Sequence, residues 1–436
     1  MLLNRKRYIK YLCLFYLNMN WIIDVFHMPE TIKNLIHILA ILLIVWTFKS
    51  LHFRAKRPKD ERWIFRWIVF FSTGVVIGWL INGMSPVLFL WASTKTYIFF
   101  FFFISCAAVL DAHEMEYILE ILCKYQYLNV ILCLLEFFVL NISGDWLGGI
   151  FGIRQGANAY TNIYLMVICT YTMTKYLRKQ KNVSQLLWIL GSSCLIAGFT
   201  EITAFFVEIA MIMIITTFLS RNVEKKIVVA IIGVSVALIG FGALAVLFPK
   251  RFDYIYSIQS AITYLGGKDN HYYTDSGLYV GGAYSVSRLN PFEQINRYFF
   301  HNDLLKNIFG YGLGNCEMSP NNTIFQSDFY LQNKKYEYYI FSHAATFIET
   351  GAWGLLSYAY MLVSLVKMGL EYRKDSNRYS YFVDVGFVMS VMTVVLFFYN
   401  SSVRTHSGYL LFLSLCTIPV YANWKKHNPI LLEGNI

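Results

Sequence analysis

Charge is what this sequence has least of. Only 14% of its 436 residues are Asp, Glu, Lys or Arg, while 57% are hydrophobic; a soluble domain carries roughly 25% charged residues. That deficit excludes an ordinary water-soluble domain and leaves room for many apolar segments of about 20 residues, the length that crosses a bilayer. A cysteine framework is missing too. Cys13, Cys106, Cys123, Cys133, Cys169, Cys194 and Cys416 fall in or beside apolar segments, and only Cys316 lies in the long polar stretch. A thiol in such surroundings behaves as a small hydrophobe, and the spacing fits neither a disulfide scaffold nor a zinc site. There is no internal duplication, heptad or low-complexity tract, no metal-ligand cluster, and no carboxylate pair at glycosidase-like spacing. The net charge of +11 does not by itself imply nucleic acid, because basic residues on a membrane protein report topology first.

What is present is a series of apolar runs. They predict an all-α polytopic membrane protein with twelve spans, at about 8–27, 32–50, 63–81, 94–110, 124–141, 160–177, 184–199, 203–219, 227–248, 344–366, 382–399 and 408–423. The start of the chain, Asn4-Arg5-Lys6-Arg7 before Tyr8–Leu17, has the outline of a signal peptide. Asn18, Asn20 and Asp24 follow without a small-residue cleavage site, so it is read as the first span. Basic residues then alternate by side. One side holds the Arg5–Lys10 cluster, the Lys49–Arg66 cluster, and those around Lys175, Arg221, Arg373 and Lys425. Short connections on the other side hold only Lys33, Lys95, Arg154 and Arg404. The positive-inside rule makes both termini cytoplasmic and the long loop extracytoplasmic. Three regions follow: 1–248 with about nine spans, 249–343 as the outer loop, and 344–436 with about three spans.

The loop has its own organisation. Residues 267–287 are rich in Gly, Ser, Asp and Tyr and read as irregular structure or short strands. Asn290-Pro291-Phe292-Glu293 is a helix start, and the helix should run to about Ile308 and stop at Gly310. The run Gly310-Tyr311-Gly312-Leu313-Gly314 follows a helix instead of a strand, so it fails the context of a dinucleotide or P-loop motif. It reads as a tight turn returning the chain to the membrane.

Several residues could carry chemistry. Arg154, in Gly152-Ile153-Arg154-Gln155-Gly156-Ala157-Asn158, is the basic residue of its outer connection. Its planar fork suits a phosphate, although the same residue could merely anchor a span end. Arg288 sits just ahead of a helix N-terminus, an anion-favouring place, or is an ordinary loop arginine paired with an acid. His343 opens the tenth span, where it could take a proton from a hydroxyl or be a plain interfacial histidine. Glu349 lies roughly 120° around the helix from His343, so the expectation is that it fixes a neighbouring helix or pairs with an arginine. Arg404 and His406 cap a short outer turn and could contact a lipid headgroup. The loop tyrosines Tyr264, Tyr272, Tyr273, Tyr279 and Tyr284 could stack on sugars, and Tyr311 is a separate candidate substrate contact. Glu136 and Glu208 are acids within apolar segments.

Three segments together resemble the superfamily of O-antigen ligases and lipid-linked repeat-unit polymerases, the latter called Wzy-type. Arg154 with Gly156 and Asn158 is similar to the family's outer-loop Arg-x-Gly motif. Arg288, a helix, then Gly310 to Gly314 is similar to its Arg…Gly-x-Gly-x-Gly segment. His343…Glu349-Thr350-Gly351-Ala352-Trp353-Gly354-Leu355 is similar to its His…Glu-x-Gly-x-x-Gly-Leu segment. Where many relatives show Ser-Arg at the head of the eighth span, this chain has Thr200-Glu201, so no role is carried over for Glu201.

The resemblance implies a GT-C-like membrane glycosyltransferase in the bacterial cytoplasmic membrane. It would join undecaprenyl-pyrophosphate-linked oligosaccharides into a capsule, exopolysaccharide or O-antigen. His343, Arg288 and Arg154 would be catalytic, and Arg404, Glu349 and Tyr311 would bind substrate. Neither metal, nucleotide nor other cofactor is called for. The partners implied are donor and acceptor glycolipids, membrane lipid and a chain-length regulator protein, with no nucleic acid. The alternatives are an O-antigen ligase acting on lipid A-core and, from another class, a transporter or flippase of lipid-linked sugars. Transporters are often built from repeats, and their ionisable groups lie near the midplane.

Overall fold

The computed structural model describes residues 2–50, 62–220, 224–233, 271–274, 277–280, 290–319 and 322–428, with 235, 242 and 286 singly. Nine helices lead: α1 (Leu2–Val25), α2 (Leu35–Ser50), α3 (Arg62–Asn82), α4 (Pro86–Ser93), α5 (Tyr97–Val109), α6 (Ala112–Phe138), α7 (Ala157–Leu177), α8 (Val183–Phe199) and α9 (Thr203–Leu219). Residues 224–233 are helical as well; the remainder of the predicted ninth span lies largely outside the described residues. The C-terminal helices are Ser342–Tyr372, Tyr381–Tyr399, Gly408–Leu415 and Thr417–His427.

Among the described residues six helices are long and apolar enough to cross a membrane: Glu30–Lys49, Arg62–Asn82, Pro86–Val109, Ala112–Phe138, Ser342–Tyr372 and Tyr381–Tyr399. Two more, α8 and α9, are apolar and shorter. The protein is therefore helical and membrane-embedded in character.

Two segments differ from the hydropathy reading for identifiable reasons. Helix α6 begins at Ala112 instead of near 124, because Asp111 caps it by accepting from the Glu114 amide at 3.0 Å. Its charged first turns are ion-paired, Lys6 with Asp111 at 2.5 Å and Lys175 with Glu116 at 2.7 Å. The last predicted span is two helices, since Pro419 lacks the amide that would bond the Leu415 carbonyl.

Helix α7 is the centre of the bundle. It contacts α6, α8, α9 and the Tyr381–Tyr399 and Gly408–Leu415 helices, and every residue from Thr161 to Leu177 is buried. A helix enclosed by protein can carry polar groups that neighbouring helices satisfy. Asn162 donates to Glu208 of α9 at 3.2 Å, and the Tyr164 hydroxyl donates to the Leu122 carbonyl of α6 at 2.7 Å. Beside α7 an aromatic core joins Trp67, Phe71, Phe100 and Phe103 to Phe412 and Tyr358.

The polar stretch forms a second, smaller cluster around Phe299, Phe300, Tyr338 and Phe347. Elsewhere in the same stretch, read as irregular structure or short strands, strands β1 (His271–Thr274) and β2 (Gly277–Val280) pair antiparallel. The single helix expected from Asn290 to Ile308 is interrupted. Pro291–Ile295 continues as a π-helical turn to Phe300, His301 and Asn302 take positive φ of 52° and 63°, and Asp303 caps a new helix, Leu304–Phe309. The stop at Gly310 stands, with φ 69°.

Candidate functional site

Arg154 is presented by a braced loop. Between α6 and α7 the chain makes two short turns, Gly144–Trp146 and Gly149–Phe151. Buried Glu136 accepts from the amides of Gly148 and Gly149 (3.1 and 2.8 Å), and Asn129 accepts from Ile150 (3.1 Å). Glu136 is thus a loop brace at the end of α6. At the tip, Arg154 pairs bidentately with Asp24 of α1: Nε donates to Oδ2 at 3.3 Å and Nη2 donates to Oδ1. Nη2 also donates to the Asn20 carbonyl at 3.3 Å. The Glu201 carboxylate lies against Gly144, within 3.2 Å of where a Cβ would stand, so the acid in place of the expected arginine borders this loop.

The turn after the Tyr381–Tyr399 helix, residues 400–407, gathers the remaining candidates. Its Asn400 carbonyl accepts from the amide and hydroxyl of Ser342 at 3.0 and 2.7 Å, which fixes the start of the Ser342–Tyr372 helix. His343, fully buried, places Nδ1 3.0 Å from the Phe397 carbonyl and its ring against Phe398 and Phe292. A proton on Nδ1 donates to that carbonyl, which leaves Nε2 as the basic nitrogen. Further along the turn, the His406 ring stacks on His37 at 4.5 Å. Burial, His37 and the nearby cations Lys33, Lys95 and Arg154 hold His406 well below the usual histidine range. Those three cations come from scattered short connections, and the fold brings all of them within electrostatic reach of one turn.

Arg404 was expected as a headgroup contact. It is instead 7% exposed and bonded to two buried carboxylates, Glu349 and, at 3.3 Å, Glu317. Glu317 also pairs with Lys95, which donates to the Met318 carbonyl at 3.1 Å. Four charges from four elements thus neutralise one another, and the two glutamates hold Arg404 above even the usual guanidinium range against the effect of burial. Glu349 pairs with an arginine, as its angular separation from His343 suggested. Its other oxygen accepts from the Gly314 amide at 3.3 Å, so both oxygens of this expected substrate contact bond to the protein itself.

Gly310–Gly314 is more than a turn. The Ser342–Tyr372 helix is broken at Gly351 (φ 60°, ψ −162°), which takes away the amide partners of Ile348 and Glu349. The glycine run replaces them: the Tyr311 amide donates to Ile348 and the Gly312 amide to Glu349, both at 2.8 Å. Such an approach needs bare backbone. A Cβ on Gly310 would lie 2.4 Å from the Glu349 carbonyl carbon, and one on Gly351 would lie 2.3 Å from the Ile308 oxygen. From the other side Asn82 donates to the Gly310 carbonyl at 3.0 Å and Trp79 to Leu313 at 3.1 Å. Tyr311 is half-buried, and its hydroxyl donates to the Phe299 carbonyl at 2.5 Å. Burial pushes its phenol up to about 12. Here the expected substrate contact bonds to the protein's own backbone.

Arg288 lies outside the described residues; the helix that begins three residues on, at Pro291, places Phe292 5.9 Å from His343. No group of three metal-ligating side chains occurs among the described residues. Sequence reasoning missed Asp24, Lys95 and Glu317 as partners. Asp24 and Lys95 showed only as polar residues at the ends of apolar runs, and Glu317 only as one acid of the polar loop. Compared with family models and with curated proteins, the chain matches none.

Proposed function

We propose that the protein joins polyprenyl-pyrophosphate-linked oligosaccharide repeat units into a surface polysaccharide on the outer face of the bacterial cytoplasmic membrane. Twelve spans, cytoplasmic termini and an extracytoplasmic loop belong to this reading. The observation that supports it best is the 400–407 turn. It joins the start of the His343 helix to Glu349 and to the cations around Arg154, so a base and a phosphate-gripping arginine share one end of the bundle.

In this reading an acceptor hydroxyl attacks the anomeric carbon of the donor sugar. The new glycosidic bond forms as the bond from carbon to pyrophosphate oxygen breaks. Polyprenyl pyrophosphate leaves with the electron pair, and the hydroxyl proton passes to His343 Nε2. Arg154 and Arg288 stabilise the charge growing on the leaving group. The sugar–pyrophosphate bond already carries the energy, so nucleotide is not needed.

The test is a reaction of purified protein in nanodiscs with its undecaprenyl-pyrophosphate repeat unit, resolved on a gel. A ladder that H343A reduces by about a hundredfold or more, and that R154A also loses, is the expected result. A single transfer seen only with lipid A-core identifies a ligase. No transfer, with lipid translocation in liposomes, identifies a transporter and ends the proposal.

A further inference from the structure

The Arg154 fork already holds an anion, and that anion belongs to the protein. Asp24 comes from the last turn of α1, far in sequence from the loop it meets. It engages Nε and Nη2, one edge of the guanidinium, with both of its oxygens. That is the edge and the two-oxygen geometry a phosphate group uses on arginine. The backbone beneath is fixed by Glu136, Asn129 and the bonds Gly156 to Asp145 (3.0 Å) and Ala157 to Arg154 (3.1 Å). Gly152, at φ 82°, lies so close that a Cβ would stand 2.1 Å from Asp24 Oδ2. The loop is shaped to admit this carboxylate. Both side chains keep some access to solvent, 15% for Arg154 and 19% for Asp24, so the pair is not sealed from the surface.

We propose that Asp24 is a specificity determinant: it occupies the phosphate position on Arg154, so that only a more highly charged headgroup displaces it. This rests on the reading of Arg154 as a donor phosphate site. The argument is competition. A phosphodiester headgroup of the surrounding bilayer carries the same charge as the carboxylate and gains nothing electrostatically by replacing it. A lipid-linked pyrophosphate carries twice that charge and two groups with which to grip. Any ligand must displace the carboxylate, so Asp24 weakens each by the same factor; a loosely held phosphodiester then falls below occupancy while a strongly held pyrophosphate stays bound. While the site is empty, Asp24 also spares Arg154 the penalty of an uncompensated charge in a partly dry place.

The experiment uses the full chain in phosphatidylcholine nanodiscs carrying either a trace of undecaprenyl pyrophosphate or a fraction of phosphatidylglycerol. Lipid binding is read by native mass spectrometry. Wild type, D24N, D24S and R154Q are compared, and a melting curve for each reports folding. In D24N and D24S, phosphatidylglycerol should bind on the order of tenfold tighter, as expected when the competent state rises from about a tenth of the population. Undecaprenyl pyrophosphate should gain by a similar factor, so the variants differ from wild type in holding phosphatidylglycerol at concentrations where wild type holds only the pyrophosphate. A structural Asp24 would weaken both ligands together. Unchanged or weaker phosphatidylglycerol binding in the folded variants, with undecaprenyl pyrophosphate still lost in R154Q, overturns the role of Asp24 alone. Failure of R154Q to affect either ligand overturns the phosphate reading of Arg154, and this proposal with it.

Discussion

Arg404 lies between two carboxylates, Glu317 and Glu349, with almost no water around any of the three. Removing one member of such a set strands the charge of another, which typically costs about 3–5 kcal/mol. R404M should therefore lower the unfolding free energy by about 3 kcal/mol or more, read as a drop in the denaturant midpoint in detergent; a surface-like loss below about 1 kcal/mol would show that water reaches the cluster. Neighbouring His406 sets a pH dependence. Its folded-state pKa lies below the ordinary 6.5, so between the two values the unfolded chain binds more protons and stability rises with pH. The contribution is present above about pH 6.5 and is lost as the pH falls below it. A melting temperature that declines in mildly acidic buffer, with the decline flattened in H406Q, is the expected outcome.

At the scale of elements, the decisive object is the broken helix. Hydropathy shows Ser342–Tyr372 as a span, and the glycine run after Phe309 shows as a turn, each correctly placed along the chain. That the two belong together was not legible. Nothing in Glu349-Thr350-Gly351 marks a break, since a lone glycine is tolerated inside many helices, and the partner amides of Tyr311 and Gly312 lie some thirty-five residues upstream. Distance in sequence likewise hides Glu317 from Arg404, 87 positions on, and Asp24 from Arg154, 130 positions on. Legible features were those with a local cause: the Asn290-Pro291 helix start, the Gly310 stop, and the pairing of Glu349 with some arginine, foreseen from its position on the helix. The helix from Asn290 was drawn too long because positive φ at His301 and Asn302 carries no sequence signature as strong as glycine's. G351A should cost roughly 3 kcal/mol or more, from a strained φ and a Cβ set against the Ile308 carbonyl; a melting temperature equal to wild type would show that the break closes into continuous helix.

For the whole molecule, the uneven distribution of basic residues makes a prediction about sides. Native cysteines are buried or half-buried, so single introduced ones can be read against a quiet background. I324C, at an exposed position in the polar stretch, should react with an impermeant maleimide on intact cells, while K426C, exposed at the other end, should react only after permeabilisation. The opposite pattern would invert the topology. The bond between the glycine run and the broken helix also bears on how the chain is made. Tyr311 and Gly312 are synthesised before Ile348 and Glu349, so in the proposed topology they are already across the membrane when the later helix arrives. Until they meet, the Ile348 and Glu349 carbonyls are satisfied only if that helix is continuous. In the proposed topology, a chain whose loop is left on the opposite side cannot bring the Tyr311 and Gly312 amides to those carbonyls.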